Sequence, residues 1–202
     1  MAANATEIAL RSRFGQILMS DPCQRINFRW GRLHADGSAY SFVALALASR
    51  PPKGIGVIVN PRLPANTEAS YDSVTNKFTV RSAAYGGTAF HKMSIVHEAT
   101  HAIADATDRG TVLGQLDETG AFVAGALFNI YSAPSLNGPY PFNPIGQGIF
   151  ETAHRVAMQI AATPGVALNP QVASPLRQAV LNHPTYAFLR QSPRYTNDGV
   201  SL

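Results

Sequence analysis

The chain has 202 residues, of which 46% are hydrophobic and 14% are charged, and its formal net charge is +4. This length and hydrophobic content predict a globular protein with a real core. The positive charge comes from arginines and lysines scattered singly along the chain. Since no basic run or recognition motif accompanies the charge, no nucleic-acid partner is expected.

The cysteine count and the N-terminal residues indicate where the protein is expected to work. The single cysteine, Cys23, has no partner for an internal disulfide. Residues 1–13 lack the basic-then-apolar order of a secretion signal, and no stretch reaches the roughly 18 apolar residues of a membrane span. We therefore expect a cytoplasmic protein of the producing cell with no membrane partner. The sequence does not indicate whether the protein is exported without a signal peptide. It does not indicate the oligomeric state either.

The first quarter of the chain predicts a helix and then a segment with mixed signals. Residues 7–19 place apolar side chains loosely on one side of a helix that ends before Pro22. Residues 26–50 begin with strand-like alternation and contain a turn signal at Asp36 and the following glycine. Within that segment, residues 40–48 fit a strand or a helix.

Three short strands are predicted next. Residues 55–59 favour a buried strand, and residues 69–74 and 77–83 favour two strands joined by a Thr-Asn turn. In zinc peptidases an edge strand near the metal receives the substrate as an added strand. The strands before residue 88 therefore suit either a substrate-binding edge or a purely structural hairpin.

A His-Glu-x-x-His motif lies in an apolar stretch at residues 94–105 and consists of His97, Glu98 and His101. Residues four apart on a helix lie one above the other, so the two imidazoles can bind one zinc ion. Glu98 then lies beside the metal, where its carboxylate can act as general base toward a coordinated water. The alternative is a buried histidine pair with ordinary hydrogen-bond partners.

The helix that carries this motif is predicted to begin between residues 88 and 90 and to end at Gly110. Within residues 94–105 the positions outside the motif are mostly Ile, Val or Ala, so the helix is expected in the interior. Burying two imidazoles beside carboxylates favours a cation between them. Asp105 lies one turn beyond His101, where it could fix an imidazole tautomer or simply belong to the helix end.

A hydrolytic zinc site normally has three protein ligands and one open position. Residues 117–131 predict a second helix that is apolar except for Asp117, Glu118 and one asparagine. Glu118 shares a face with Gly125, which would let the two helices lie close together. Glu118 is the favoured third ligand. In the alternative, Asp117 binds the metal and Glu118 interacts with the helix dipole.

The motif, followed 17 residues later by a glutamate on a second helix, resembles the gluzincin branch of the zincin metallopeptidases, the thermolysin-like arrangement in a minimal form. The resemblance covers about residues 69–131. It implies that His97, His101 and Glu118 bind zinc and that Glu98 is the catalytic base.

Two features of the sequence bear on this resemblance. Phe122 stands where some relatives carry an acidic residue that supports a ligand histidine, so Asp105 would have to substitute for it. The histidine, glycine and methionine-turn extension that follows the motif in metzincins is absent after His101, which argues against that branch.

The rest of the chain predicts a loop, a helix and a tail. Residues 132–148 are too rich in proline for regular structure and suit a lid or a cleft wall. Residues 149–162 predict an amphipathic helix with His154 at the margin of its apolar face. Residues 163–202 predict one short helix at 176–181 within otherwise extended or partly disordered chain.

A peptidase also needs a hydrogen-bond donor for the oxyanion that forms during attack on the carbonyl. The candidates are His154, Tyr131, Tyr140 and Tyr85. Each also has an ordinary structural explanation. His154 is the one assigned a catalytic role beside Glu98.

Together these patterns predict an α+β fold of zincin type in a single domain: residues 1–50 with a helix and uncertain strands, a catalytic core at 51–162, and a proline-rich extension at 163–202. The predicted function is zinc-dependent hydrolysis of amide bonds in a peptide or protein substrate, with Glu98 activating the water. The alternative is a zincin-scaffold effector, toxin or interaction module of bacterial or phage origin with little or no hydrolytic activity.

Overall fold

The structure is a computed structural model that describes residues 4–49, 53–107, 110–132 and 147–200. Over these residues helices and short strands form an α+β fold. The helices are α1 (Ala5–Leu18), α2 (Asp21–Gln24), α3 (Gly37–Ala48), α4 (Ala89–Thr107), α5 (Gly114–Ser132), α6 (Gln147–Ala162) and α7 (Pro170–Asn182). The strands are β1 (Asn27–Trp30), β2 (Leu33–Asp36), β3 (Gly56–Val59), β4 (Ala69–Asp72), β5 (Lys77–Val80), β6 (Gly110–Leu113) and β7 (Arg194–Asn197). None of the described helices combines the length and apolarity needed to cross a membrane.

The segment with mixed signals forms a hairpin followed by a helix. Strands β1 and β2 pair antiparallel, and α3 starts directly after them. The side chain of Asp36 accepts the N–H of Ala39 at 2.8 Å and so caps the first turn of α3. Such a cap satisfies a donor that the helix leaves free. This local hydrogen bond favours a helix over an extended conformation at residues 40–48, and the buried side chains of α3 pack it into the core.

A three-stranded sheet has the order β3–β5–β4, with β3 parallel and β4 antiparallel to the central β5. The predicted strands at 69–74 and 77–83 are therefore confirmed as a hairpin. The strand predicted as buried at 55–59 is only partly so, because β3 is an edge strand of this sheet. Val57 is fully buried, but Ile58 and Val59 are 44% and 38% exposed.

Helices α4 and α5 pack directly on each other and form the centre of the molecule. Gly125 makes this close approach feasible, as its position in the sequence predicted. A Cβ atom at Gly125 would lie 3.1 Å from Cγ of Met93 and 3.8 Å from Cβ of His97, both on α4. The missing side chain therefore brings the face of α5 that carries Glu118 against the face of α4 that carries the histidines.

The C-terminal residues are folded: the short helix predicted at 176–181 lies within α7, but regular structure extends well beyond it, so the prediction that the rest of residues 163–200 is only extended or partly disordered chain is wrong. The side chain of Asn169 caps α7, and Pro170 occupies the first helical position, where proline is tolerated. A 3-10 helix follows at Pro184–Gln191. Strand β7 then pairs antiparallel with β6. Pro170 and Pro184 lie at helix starts, where proline costs little, whereas Pro175 lies inside α7.

The structure tests the helix predicted at 149–162 but covers little of the loop predicted at 132–148. The helix predicted at 149–162 is confirmed as α6, with its apolar residues in the core. The proline-rich loop predicted at 132–148 falls mostly outside the described residues.

Candidate metal centre

Three side chains from α4 and α5 converge at one point in the part of the chain that the structure describes. Nε2 of His97 lies 3.3 Å from Nε2 of His101 and 3.3 Å from Oε2 of Glu118. Nε2 of His101 lies 3.8 Å from the same Oε2. All three atoms lie within 4.8 Å of one another, a grouping that could hold a metal ion.

These spacings suit a metal with short bonds. Metal–ligand bonds of about 2.0–2.1 Å in a tetrahedral arrangement place neighbouring ligand atoms about 3.3–3.4 Å apart. Oε2 of Glu118 is buried and accepts no hydrogen bond within the described structure. A buried carboxylate oxygen without a donor is costly, and a cation removes that cost. The donor set and its geometry therefore fit a divalent cation.

Asp117 orients one of the histidines and does not supply a ligand atom to the cluster. Its Oδ2 lies 2.7 Å from Nδ1 of His101, on the far side of the ring from Nε2. Burial alone would lower the pKa of His101, but the charges of Asp117, Glu118 and Glu98 outweigh burial and raise this pKa to about 10. A carboxylate that holds Nδ1–H directs Nε2 toward the cluster. Of the two acidic candidates, Glu118 is thus the one that reaches the histidine pair.

Glu98 lies beside the cluster rather than within it. Its Oε2 accepts the backbone N–H of Tyr71 at 2.8 Å. Burial raises the pKa of Glu98 above its ordinary value, although the two histidines and the Tyr71 N–H oppose this rise. A buried carboxylate with a raised pKa accepts and holds a proton more readily than an ordinary glutamate.

Among the described strands, β4 is at the edge of its sheet, next to Glu98. Arg81 donates its N–H to the carbonyl of Glu68. Hydrogen-bonded pairs alternate along an antiparallel ladder, so the peptide groups of Ala69 and Tyr71 point away from β5. The bond from Tyr71 N–H to Glu98 agrees with this direction. The free edge lines the same cleft as the metal cluster.

The cleft has a volume of about 1140 Å³ and one aromatic wall. Phe122 packs edge-on against His97 with the ring centres 4.6 Å apart. Phe150 and Tyr186 in turn pack edge-on against Phe122 at 5.8 Å and 5.7 Å. Phe122 therefore holds the His97 ring by packing. An apolar wall also strengthens electrostatic interactions at the cluster by excluding water.

Two tyrosines from the C-terminal segment reach the cluster, and neither was among the candidates predicted from the sequence. Tyr186 is on the 3-10 helix. Burial, together with the charges of Glu118 and Glu98, raises its pKa well above the ordinary value. Tyr195 is on β7 and lines the same cleft as Glu118, and burial, together with the charges of Glu118 and Asp117, raises its pKa above the ordinary value. No local motif marks either residue, because each is more than 65 positions from Glu118 along the chain.

Asp105 does not contact an imidazole, so the proposed tautomer-fixing role belongs to Asp117. Asp105 is fully buried, and its carboxylate accepts the hydroxyl of Tyr71 and two backbone N–H groups that follow β7. It lies one turn beyond the motif, where the helix faces β4 and the C-terminal strand instead of α5.

None of the described oxyanion candidates from the sequence lines the cleft. His154 is on α6, but the cleft-lining residues of that helix are Ile149 and Phe150, one turn earlier. Tyr85 is fully buried and stacks on His91. The ring of Tyr131 lies under the guanidinium of Arg25, and Tyr140 lies outside the described residues. The position of His154 gives no support to the catalytic role predicted for it.

Comparison of the chain with protein-family models, curated proteins and solved structures gives no match.

Proposed function

We propose that this protein is a zinc-dependent peptidase with a gluzincin-type ligand set. The observation that carries the proposal is the convergence of His97, His101 and Glu118, with Glu98 one residue away on the same helix turn and outside the ligand group. A structural metal site would need no carboxylate beside it. Two histidines, one carboxylate and an adjacent base form the set that metal-dependent hydrolysis uses.

Zinc is the metal that this ligand set favours. Two imidazole nitrogens and one carboxylate oxygen at tetrahedral spacing are typical of catalytic zinc sites. Calcium and magnesium prefer six or more oxygen ligands, which the cluster does not offer. Zinc, when bound, polarises the substrate carbonyl and lowers the pKa of a coordinated water toward about 7.

Three residues around the metal position would perform the proton transfers and hold the reacting groups in place. Glu98 takes the proton from the attacking water and delivers it to the leaving nitrogen. The N–H of Tyr71 holds the Glu98 carboxylate in place at 2.8 Å. Asp117 holds the His101 ring so that Nε2 faces the metal position.

The free edge of β4 supports a polypeptide as the substrate. An extended peptide can add to such an edge through backbone hydrogen bonds, independently of its sequence. The N–H and C=O of Ala69 point to that edge, and Tyr71, two residues on, donates its N–H to Glu98. A peptide on β4 would therefore have its backbone beside the catalytic base, with the aromatic wall available for one side chain.

Tyr186 is suited to stabilise the oxyanion. Its raised pKa keeps the phenol protonated, and its position near Glu98 and Glu118 places it beside the reacting group. We expect Tyr186→Phe to lower kcat by about 10²- to 10³-fold, the usual cost of losing one oxyanion donor, with the zinc content unchanged. Steady-state kinetics with metal analysis measures both. A variant with unchanged kcat would exclude Tyr186 from this role.

The direct test of the proposed function combines a determination of zinc content with a proteolysis assay. The purified protein should contain about one zinc per chain and should cleave an unfolded protein such as reduced casein. A chelator should abolish cleavage, and added zinc should restore it. A chain that binds zinc without cleaving any polypeptide would favour the alternative of an effector or interaction module, and a chain that binds no zinc would refute the proposal.

A further inference from the structure

Tyr71 on β4 is attached to the metal helix α4 at two points on one face of that helix. Its backbone N–H donates to Oε2 of Glu98 at 2.8 Å, and its hydroxyl oxygen lies 2.8 Å from Oδ2 of Asp105. Glu98 and Asp105 are seven residues apart in the sequence, which is close to two helical turns, or about 10 Å along the axis. One residue of β4 therefore connects the proposed base with the last turns of α4.

The hydroxyl of Tyr71 donates to Asp105 in preference to a second acceptor within reach. That acceptor is Oδ1 of Asn76, at 2.7 Å, but a charged carboxylate forms the stronger hydrogen bond. Burial, together with the charge of Asp105, raises the pKa of Tyr71 above its ordinary value, so the phenol keeps the proton that it donates. The ring packs against Phe78 of β5 with the ring centres 5.2 Å apart. The Tyr71 side chain therefore has little freedom to move.

Asp105 is a fixed point for this contact. It is fully buried, and its Oδ1 accepts the N–H of Asp198 at 2.8 Å and the N–H of Gly199 at 3.0 Å. Hydrogen bonds to an ionised carboxylate are roughly twice as strong as neutral ones. The carboxylate cannot turn without losing at least one of its bonds, so it holds the Tyr71 hydroxyl at a defined place on α4.

The position of β4 over α4 depends on such contacts. Among the described strands, β4 pairs with β5 on one side only. Within the described residues, the N–H of Tyr71 is the hydrogen-bond donor that reaches the Glu98 carboxylate. The backbone of β4 sets the direction of this N–H. A shift of β4 would therefore move the group that orients the base.

We propose that Asp105 is a positioning residue for the catalytic base and that Tyr71 transmits its effect to Glu98. The inference rests on the proposed function, in which Glu98 takes a proton from the attacking water. Asp105 holds the hydroxyl of Tyr71, and the N–H of Tyr71 in turn determines which way the Glu98 carboxylate faces. A general base must lie within hydrogen-bond reach of the proton that it abstracts. Losing this hold would slow proton transfer without removing a group that binds zinc.

The first test is the steady-state kinetics of Tyr71→Phe, which removes the hydroxyl and keeps the ring and the backbone N–H. We expect kcat to fall about 10- to 100-fold, since misplacing a reacting group by about 1 Å can cost about 10²-fold. KM and the zinc content should stay at their wild-type values, because the edge of β4 and the metal ligands remain.

The matched control is Tyr40→Phe. The hydroxyl of Tyr40 lies 2.8 Å from Oγ1 of Thr100, so this variant also removes a buried hydroxyl that is bonded to α4. Neither Tyr40 nor Thr100 lines the cleft. The variant should therefore lose stability but keep its wild-type kcat. Equal losses of kcat in Tyr40→Phe and Tyr71→Phe would overturn the proposal, because they would show a general response to loosening α4.

Hydrogen exchange reads the same link without an activity assay. In the protein as purified, NMR should show slow exchange of the residue-71 amide, which is bonded to Glu98. In Tyr71→Phe and in Asp105→Asn this exchange should become about 10-fold faster or more, the effect of weakening one hydrogen bond to a charged group. In Tyr40→Phe it should not change. An unchanged rate in Asp105→Asn would show that Asp105 does not hold this N–H.

The double variant tests whether Asp105 acts through Tyr71. Asp105→Asn alone should lower kcat to about the level of Tyr71→Phe, and adding it to Tyr71→Phe should lower kcat no further. The thermal unfolding temperature should still drop in the double variant, because Asp105 also holds two N–H groups after β7. Additive losses of kcat would overturn the proposed route.

The outcomes separate this inference from the proposed function. Wild-type kcat in Tyr71→Phe would overturn the positioning role and leave the peptidase intact. A loss of zinc in that variant would also overturn it, because the effect would then pass through the metal ligands. A wild-type chain without zinc-dependent hydrolysis would refute the proposed function and, with it, any role in positioning its base.

Discussion

Replacing Glu98 with glutamine should lower the rate of hydrolysis by about 10²- to 10⁴-fold, the contribution typical of a general base, without loss of zinc. Glutamine has the same shape and can still accept the Tyr71 N–H, but it cannot take a proton from the attacking water. The zinc content should stay at one per chain because the ligand atoms come from His97, His101 and Glu118. Measurements of kcat/KM and of metal content test both parts.

A matched control for this variant is available in the same cleft. Glu68 lines the cleft, and its carboxylate pairs with Arg81 at 3.2 Å, away from the cluster. Glu68→Gln should therefore retain wild-type activity. Full activity in Glu98→Gln would refute the proposed base, and a loss of zinc in that variant would show that Glu98 is itself a ligand.

Removing a ligand should abolish both zinc binding and activity. We expect His101→Ala and Glu118→Ala to weaken zinc binding by more than about 100-fold, beyond the 10- to 100-fold cost of losing a supporting partner. Two remaining ligands cannot complete the coordination of the metal. Zinc content after gel filtration, together with affinity by chelator competition, measures the effect.

The same series distinguishes the ligand glutamate from the neighbouring aspartate. Asp117→Asn should fall within the 10- to 100-fold range, because Asp117 contacts only Nδ1 of His101. His34→Ala removes a half-exposed imidazole in the β1–β2 hairpin and should leave zinc binding unchanged. A larger loss for Asp117→Asn than for Glu118→Ala would reverse the two assignments.

Features that depend on neighbours in the sequence could be predicted from the sequence. The distance between His97 and His101 is set by the helical repeat, so a helix alone predicts that the two imidazoles share a face. The amphipathic pattern of α6 likewise needs only periodicity. The capping of α3 by Asp36 is also local, but apolar residues at 40–48 suit both helices and strands, so the sequence pattern does not distinguish the two.

Features that depend on contacts between distant segments could not be predicted in the same way. The pattern on α5 favoured Glu118 but left Asp117 as an alternative, and only the packing of α5 on α4 shows that Oε2 of Glu118 lies beside the histidine pair. Asp105 lies on the motif face of an isolated helix. Its hydrogen-bond partners are Tyr71 and the backbone after β7. A helical wheel of α4 cannot show them, because they belong to other segments of the chain.

The sequence by itself therefore determined the histidine pair, the adjacent glutamate and two acidic candidates for the third ligand, because the geometry of a single helix follows from local chemistry. Only the tertiary structure decided that the C-terminal residues fold back through β7 and bring Tyr186 and Tyr195 to the cluster. Pairing between strands 80 or more residues apart is set by register and burial across the whole molecule. No short stretch of sequence carries that information.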